Sequence, residues 1–250
     1  IAAIENASGF CEEDESLELG LERLEQIIKN VKRLLYIGFT HHAENRFGGG
    51  NNSQIGLKED GKQLLQYLSG KKIAVDFSHT SDVLAQDILD YISKHQLDIS
   101  ILASHSNYRR VFDHPRNLPD HLAKEIIHRG GIIGVNFLRA FVNNEDPNAL
   151  YQHINHGIEL GGINSICFGA DYFCTDTHPL FHIHDSDLVP HVFAAVHEHI
   201  VLRVYLVGIV VCYGGESAVE SVVPGLVRDW AISSGGLPAP STLSYRDYID

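Results

Sequence analysis

Hydrophobic and polar positions alternate between two periods along this chain, with short β-branched runs giving way repeatedly to longer stretches of helical spacing. Leu17 to Val31 carries apolar residues at Leu17, Leu19, Leu21, Leu24, Ile27, Ile28 and Val31, near the 3.6 period, and predicts a helix. The same reading predicts helices over residues 57–68, from an Asp82 cap through His95, from the Asn117-Leu-Pro-Asp120 cap to the Gly130-Gly131 stop, and over 148–160 and 188–199. Between them, residues 1–5, 34–39, 73–77, 99–103, 132–137 and 163–168 read as strands.

Strands and helices taking turns in this way imply parallel pairing, because a parallel strand needs a connection of about a dozen residues, usually a helix. A barrel and an open doubly wound sheet both satisfy that. No strand is followed by G-x-G-x-x-G, and Gly48-Gly49-Gly50 lies in a polar loop with no Lys-Ser/Thr after it, which favours the barrel. The expected fold is an α/β (β/α)₈ TIM-type barrel over residues 1–213, with a Ser/Gly/Pro-rich tail over 214–250 packed on it or partly ordered.

Composition narrows the chemistry. With 44% hydrophobic and 20% charged residues among 250, the chain is globular. Its 19 Lys+Arg against 32 Asp+Glu give a net charge of −13, which repels a phosphate backbone and points to small substrates or metal ions rather than nucleic acid. Cys11, Cys167, Cys174 and Cys212 form no C-x-x-C pair, so neither a disulfide framework nor a thiolate zinc site is expected and a reducing, cytoplasmic setting is the default. The longest apolar run, residues 200–213, is interrupted by Arg203 and falls short of the roughly 20 residues a membrane span needs; it reads as buried strand. A start at Ile1 without a basic leader, together with the absence of methionine, suggests a barrel truncated at its N-terminus.

The polar residues fall on the strands in an ordered way. In parallel α/β folds the C-terminal strand ends converge on one face and carry the chemistry. Here those ends bear Glu5, Thr40-His41-His42, Ser78-His79, Ser104-His105, Asn136 and Asp171. Carboxylate and neutral imidazole are ordinary zinc ligands, and a bridging carboxylate allows two metals roughly 3.5–4 Å apart. Glu5, His79 and His105 suit one metal and the bridge. His42, His95, His114, His121, His128, His153, His156, His197 and His199 are expected in solvated or capping roles, and His178, His182, His184 and His191 in a polar loop.

Taken together, Phe39-Thr-His-His-Ala-Glu-Asn45, Leu57-Lys-Glu-Asp-Gly-Lys62, Ala74-Val-Asp-Phe-Ser-His-Thr-Ser-Asp82, Ala103-Ser-His-Ser-Asn107, His114-Pro-Arg-Asn-Leu-Pro-Asp120, Gly130-Gly-Ile-Ile-Gly-Val-Asn-Phe137 and Phe168-Gly-Ala-Asp171 resemble the membrane (renal-type) dipeptidase family, zinc peptidases on a (β/α)₈ barrel. The resemblance covers residues 1–171. It implies that Glu5 bridges two zinc ions, that His79 and His105 complete the second, that His41 contacts substrate or the tetrahedral intermediate, that Arg116 holds the substrate carboxylate, and that Asp171 handles the proton during cleavage.

The resemblance therefore implies a zinc-dependent dipeptidase with two Zn²⁺ per chain and a hydroxide nucleophile held by metal, acting on small free dipeptides, with a homodimer as one allowed state. A barrel metallohydrolase acting on a lactam or other cyclic amide, and a non-catalytic barrel lacking its first metal site, are the alternatives. Two departures stand out: the family's H-x-D pair has no counterpart upstream of Glu5, and its D-F-D-G is replaced by Asp171-Tyr-Phe-Cys174.

Overall fold

The computed structural model describes residues 2–31, 33–143, 146, 148–169 and 171. The helix expected over 188–199, the apolar run 200–213 and the boundary between barrel and tail lie outside the described residues.

Among the described residues six strands and six α-helices follow one another: β1 (Ala2–Ile4), α1 (Leu17–Val31), β2 (Leu34–Gly38), α2 (Glu59–Leu68), β3 (Ala74–Asp76), α3 (Asp82–His95), β4 (Ile101–Leu102), α4 (Asp120–His128), β5 (Ile133–Val135), α5 (Arg139–Val142), α6 (Ala149–Glu159) and β6 (Ile166–Phe168). All pairings between strands are parallel, in the order β1-β2-β3-β4 and β5-β6. A parallel bridge between Ala103 and Ile133 connects the two groups. Each strand thus lies beside its successor in sequence, the order of a barrel wall; a doubly wound sheet would reverse direction at a switch point. The described strands form an arc that does not close among the described residues.

The register sorts the residues onto two faces. Tyr36 pairs with Ala74, Ile37 with Val75, Val75 with Ile101 and Asp76 with Leu102. Ile37, Val75, Ile101 and Ile133 belong to the main core with Leu24 of α1, Leu64, Leu65 and Leu68 of α2, Leu84 and Ile88 of α3 and Ile126 of α4. Each such side chain contributes roughly 1.5–3 kcal/mol by leaving water. Alternation puts Tyr36, Ala74 and Leu102 on the opposite face, where they form a small separate cluster. Asp76 shares that face, away from the helices.

Local chemistry differs from expectation at some helix ends. Ser81, not Asp82, caps α3: its Oγ accepts from Leu84 N at 2.9 Å, while Asp82 opens the helix and pairs with Arg109 Nη2 at 2.9 Å. At α4 Pro119 takes the cap position, and Asn117 instead donates through Nδ2 to the Phe112 and Phe141 carbonyls. The strand over residues 163–168 starts later than expected, at Ile166, and the short helix α5 was not foreseen.

Candidate metal centre

Glu5, immediately after β1, meets His79 after β3 and His105 after β4. His79 Nε2 lies 3.1 Å and His105 Nε2 3.3 Å from Glu5 Oε1, and the two imidazole nitrogens are 2.9 Å apart. Gly38 permits this approach, since a Cβ there would stand 2.2 Å from the Glu5 carbonyl oxygen. His79 adopts φ 70°, a left-handed conformation that costs a residue with a side chain roughly 1–2 kcal/mol. The turn is pinned: Thr80 N and Oγ1 both donate to the Phe77 carbonyl, and the His79 carbonyl accepts from Asn51 N at 2.8 Å.

The second histidine is oriented through its other nitrogen. Ser104 Oγ donates to Asp76 Oδ2, so with its one proton spent it accepts from His105 Nδ1, 2.6 Å away. His105 Nε2 therefore carries a lone pair toward Glu5. Asp76 is buried and also accepts from the Ser78 and Ser104 amides at 2.9 and 2.8 Å, and the Ser78 hydroxyl accepts from the His105 amide. The sequence reading passed over Asp76; its signal was a carboxylate inside an otherwise apolar strand, two residues before a Ser-His pair.

Electrostatics set the protonation of Glu5 and His79. The neighbouring rings of His105 and then His79 hold the Glu5 carboxyl well below the usual carboxylate range, against the effect of burial. Burial, reinforced by the Arg116 charge, pushes the His79 imidazole down to about 2, so it is neutral. Buried Glu5 Oε1 and His79 Nδ1 have no hydrogen-bond partner. An anionic oxygen and two imidazole nitrogens 2.9–3.3 Å apart match a divalent cation. Ligands about 2.0–2.1 Å from zinc in a tetrahedral arrangement stand roughly 3.4 Å from one another.

The other expected site residues surround this group unequally. His41 stacks on His79 with ring centres 4.1 Å apart and places Nε2 4.0 Å from Glu5 Oε1. Arg116 is buried and structurally employed: Nη1 donates to Ser106 Oγ and Nη2 to the His105 carbonyl, both at 2.9 Å. Asp171, after β6, sits at φ 59° and accepts from Asn136 Nδ2 at 3.0 Å. Asn136 is held by Asn107, whose Oδ1 accepts the Asn136 amide at 3.0 Å and whose Nδ2 donates to the Asn136 carbonyl.

Two histidines expected in solvated or capping roles behave otherwise. His153 is fully buried and ties α6 to its surroundings, with Nδ1 accepting from the Tyr108 amide and Nε2 donating to the Val142 carbonyl. His42 packs beside His41 and His79.

Comparison with known proteins finds relatives of this chain. The family described as membrane dipeptidase (peptidase family M19) matches residues 12–203. Dipeptidase verJ of Clonostachys rogersoniana is 31% identical over 171 residues, covering 62% of this chain and 42% of that protein. An uncharacterised dipeptidase of Schizosaccharomyces pombe is 29% identical, covering 64% and 42%. The chain thus spans less than half the length of these curated relatives. Among solved structures, dipeptidase AC, a metallopeptidase of family M19, superimposes with a TM-score of 0.65 at 24% identity, covering 80% of this chain and 59% of that one. A metallopeptidase from Rhodobacter sphaeroides, liganded with a phosphinate mimic of the dipeptide L-Ala-D-Ala, gives 0.60 at 24%, covering 79% and 62%. At these identities the structural likeness concerns the fold.

Proposed function

Because this chain belongs to the membrane dipeptidase family, peptidase family M19, we propose that it is a zinc-dependent dipeptidase hydrolysing free dipeptides, on a (β/α)₈ barrel of which the described arc is a part. The observation that carries this reading is the meeting of Glu5, His79 and His105 at the C-terminal ends of β1, β3 and β4. Relatives named dipeptidases, and a neighbour holding a dipeptide mimic, favour this substrate class over a lactam or cyclic amide.

In this reading Glu5, His79 and His105 would hold zinc, Glu5 as the carboxylate shared by a two-zinc site. The cation supplies Lewis acidity toward the scissile carbonyl and a nucleophile at neutral pH. His41, 4.0 Å from Glu5 Oε1 and with its pKa lowered mainly by burial, would contact the carbonyl oxygen. A guanidinium offers five N–H donors in a planar fork, so the Arg116 anchorage to Ser106 and His105 is compatible with reading a dipeptide's terminal carboxylate. Asp171, oriented by Asn136, passes a proton to the leaving amine.

The test is metal analysis and dipeptide hydrolysis by the full chain and its His79→Ala and His105→Ala variants. Each substitution is expected to lose at least one zinc per chain and most activity, and chelation followed by zinc readdition to abolish and restore hydrolysis in the unaltered protein. Full zinc occupancy in both variants overturns the assignment.

A further inference from the structure

We propose that His41, His42 and His79 form a second cation seat beside the Glu5–His79–His105 group, taking borderline divalent ions such as zinc, copper or nickel. One ring nitrogen from each lies within 4.8 Å of the other two. The rings are packed against one another, with centres 4.1 Å apart for His41–His42 and His41–His79 and 4.8 Å for His42–His79.

The protonation pattern suits a ligand set. Asn51 Oδ1 can only accept, so His42 Nδ1, 3.1 Å away, carries the proton and Nε2 is left with its lone pair; Asn51 is itself fixed by donating to Asn52 Oδ1 at 2.9 Å. A hydrogen-bond acceptor on the far ring nitrogen is the way metal-binding histidines are commonly oriented. His79 is 5% exposed, and its buried Nδ1 has no hydrogen-bond partner. Three imidazoles without a carboxylate favour zinc, copper or nickel over magnesium or calcium, which prefer oxygen. Zinc–nitrogen bonds of about 2.0–2.1 Å put tetrahedral ligands roughly 3.4 Å apart, so these nitrogens must close by up to about 1.4 Å, which the partly exposed His41 and His42 can supply by turning.

The consequence rests on the proposed function. An ion seated here takes His41 from the substrate and competes for the His79 ring, so zinc beyond the catalytic complement inhibits.

Equilibrium dialysis against zinc chloride tests the seat without reference to activity. The Glu5→Gln/His105→Ala double variant, which disables the inner group, is expected to retain one weakly held zinc per chain, and adding His42→Ala to weaken that binding roughly tenfold or more. Equal zinc binding by the double and triple variants overturns the proposal. Where the double variant does not fold, the intact protein and its single His42→Ala variant decide: the midpoint of inhibition by excess zinc should rise tenfold or more in the variant, with activity at limiting zinc unchanged. An unchanged midpoint overturns the seat, whereas absence of dipeptide hydrolysis in the unaltered protein overturns the proposed function and leaves dialysis to judge the seat.

Discussion

His105 Nδ1 lies 2.6 Å from Ser104 Oγ, whose own proton is committed to Asp76. A hydroxyl one residue before His105 thereby decides the protonation of the ring nitrogen that faces Glu5.

Ser104→Ala should therefore keep all three proposed ligands and still weaken zinc binding, by roughly 10- to 100-fold, as loss of an outer partner usually does. Competition against a chromophoric chelator measures it. Affinity equal to that of the unaltered protein would show that the Asp76–Ser104–His105 chain has no hold on the metal.

Arg116→Ala has two separable effects. Loss of the bonds to Ser106 Oγ and the His105 carbonyl should lower thermal stability, because a buried charged hydrogen bond contributes about 1.5–3 kcal/mol. Loss of a carboxylate reader should abolish the preference for a free dipeptide over its C-terminal amide. A variant that is less stable but discriminates as strongly as before would confine Arg116 to the structural duty.

For Asp171 the informative substitution is asparagine, which retains the shape and tolerates the left-handed conformation at φ 59° at least as well. Asp171→Asn should keep fold and zinc while kcat falls by roughly 10²–10⁴, the usual loss when acid–base catalysis is removed. Zinc loss, or a lower melting temperature with unchanged kcat per folded molecule, would make the residue a ligand or a structural support.

Burial pushes His153 down to about 4 from an ordinary value of 6.5. Below pH 6.5 the unfolded chain takes up a proton that the folded chain refuses until about pH 4. The stability present above 6.5 is thus lost progressively across that window, on the order of 3 kcal/mol in all. Denaturant titrations at pH 7.5 and 4.5 should show a smaller acid-induced loss in His153→Gln than in the unaltered protein; equal losses would remove His153 as a cause.

The alternation of periods determined the order of strands and helices, because burying one face of each element writes its own spacing into the chain: α1 spans Leu17–Val31 as expected. It also placed Glu5, His79 and His105 at strand ends, where parallel topology makes convergence on one face unavoidable. The sequence could not say which groups would complete each other's hydrogen bonds. Asp76 belongs to His105 through Ser104, Arg116 to Ser106 and the His105 carbonyl, and Ser81 rather than Asp82 to the start of α3. His153 is buried and His42 sits against His79 although both are written in polar surroundings. Those partnerships join residues from different strands and loops, and their directionality depends on distances and angles fixed only when the sheet brings the segments together.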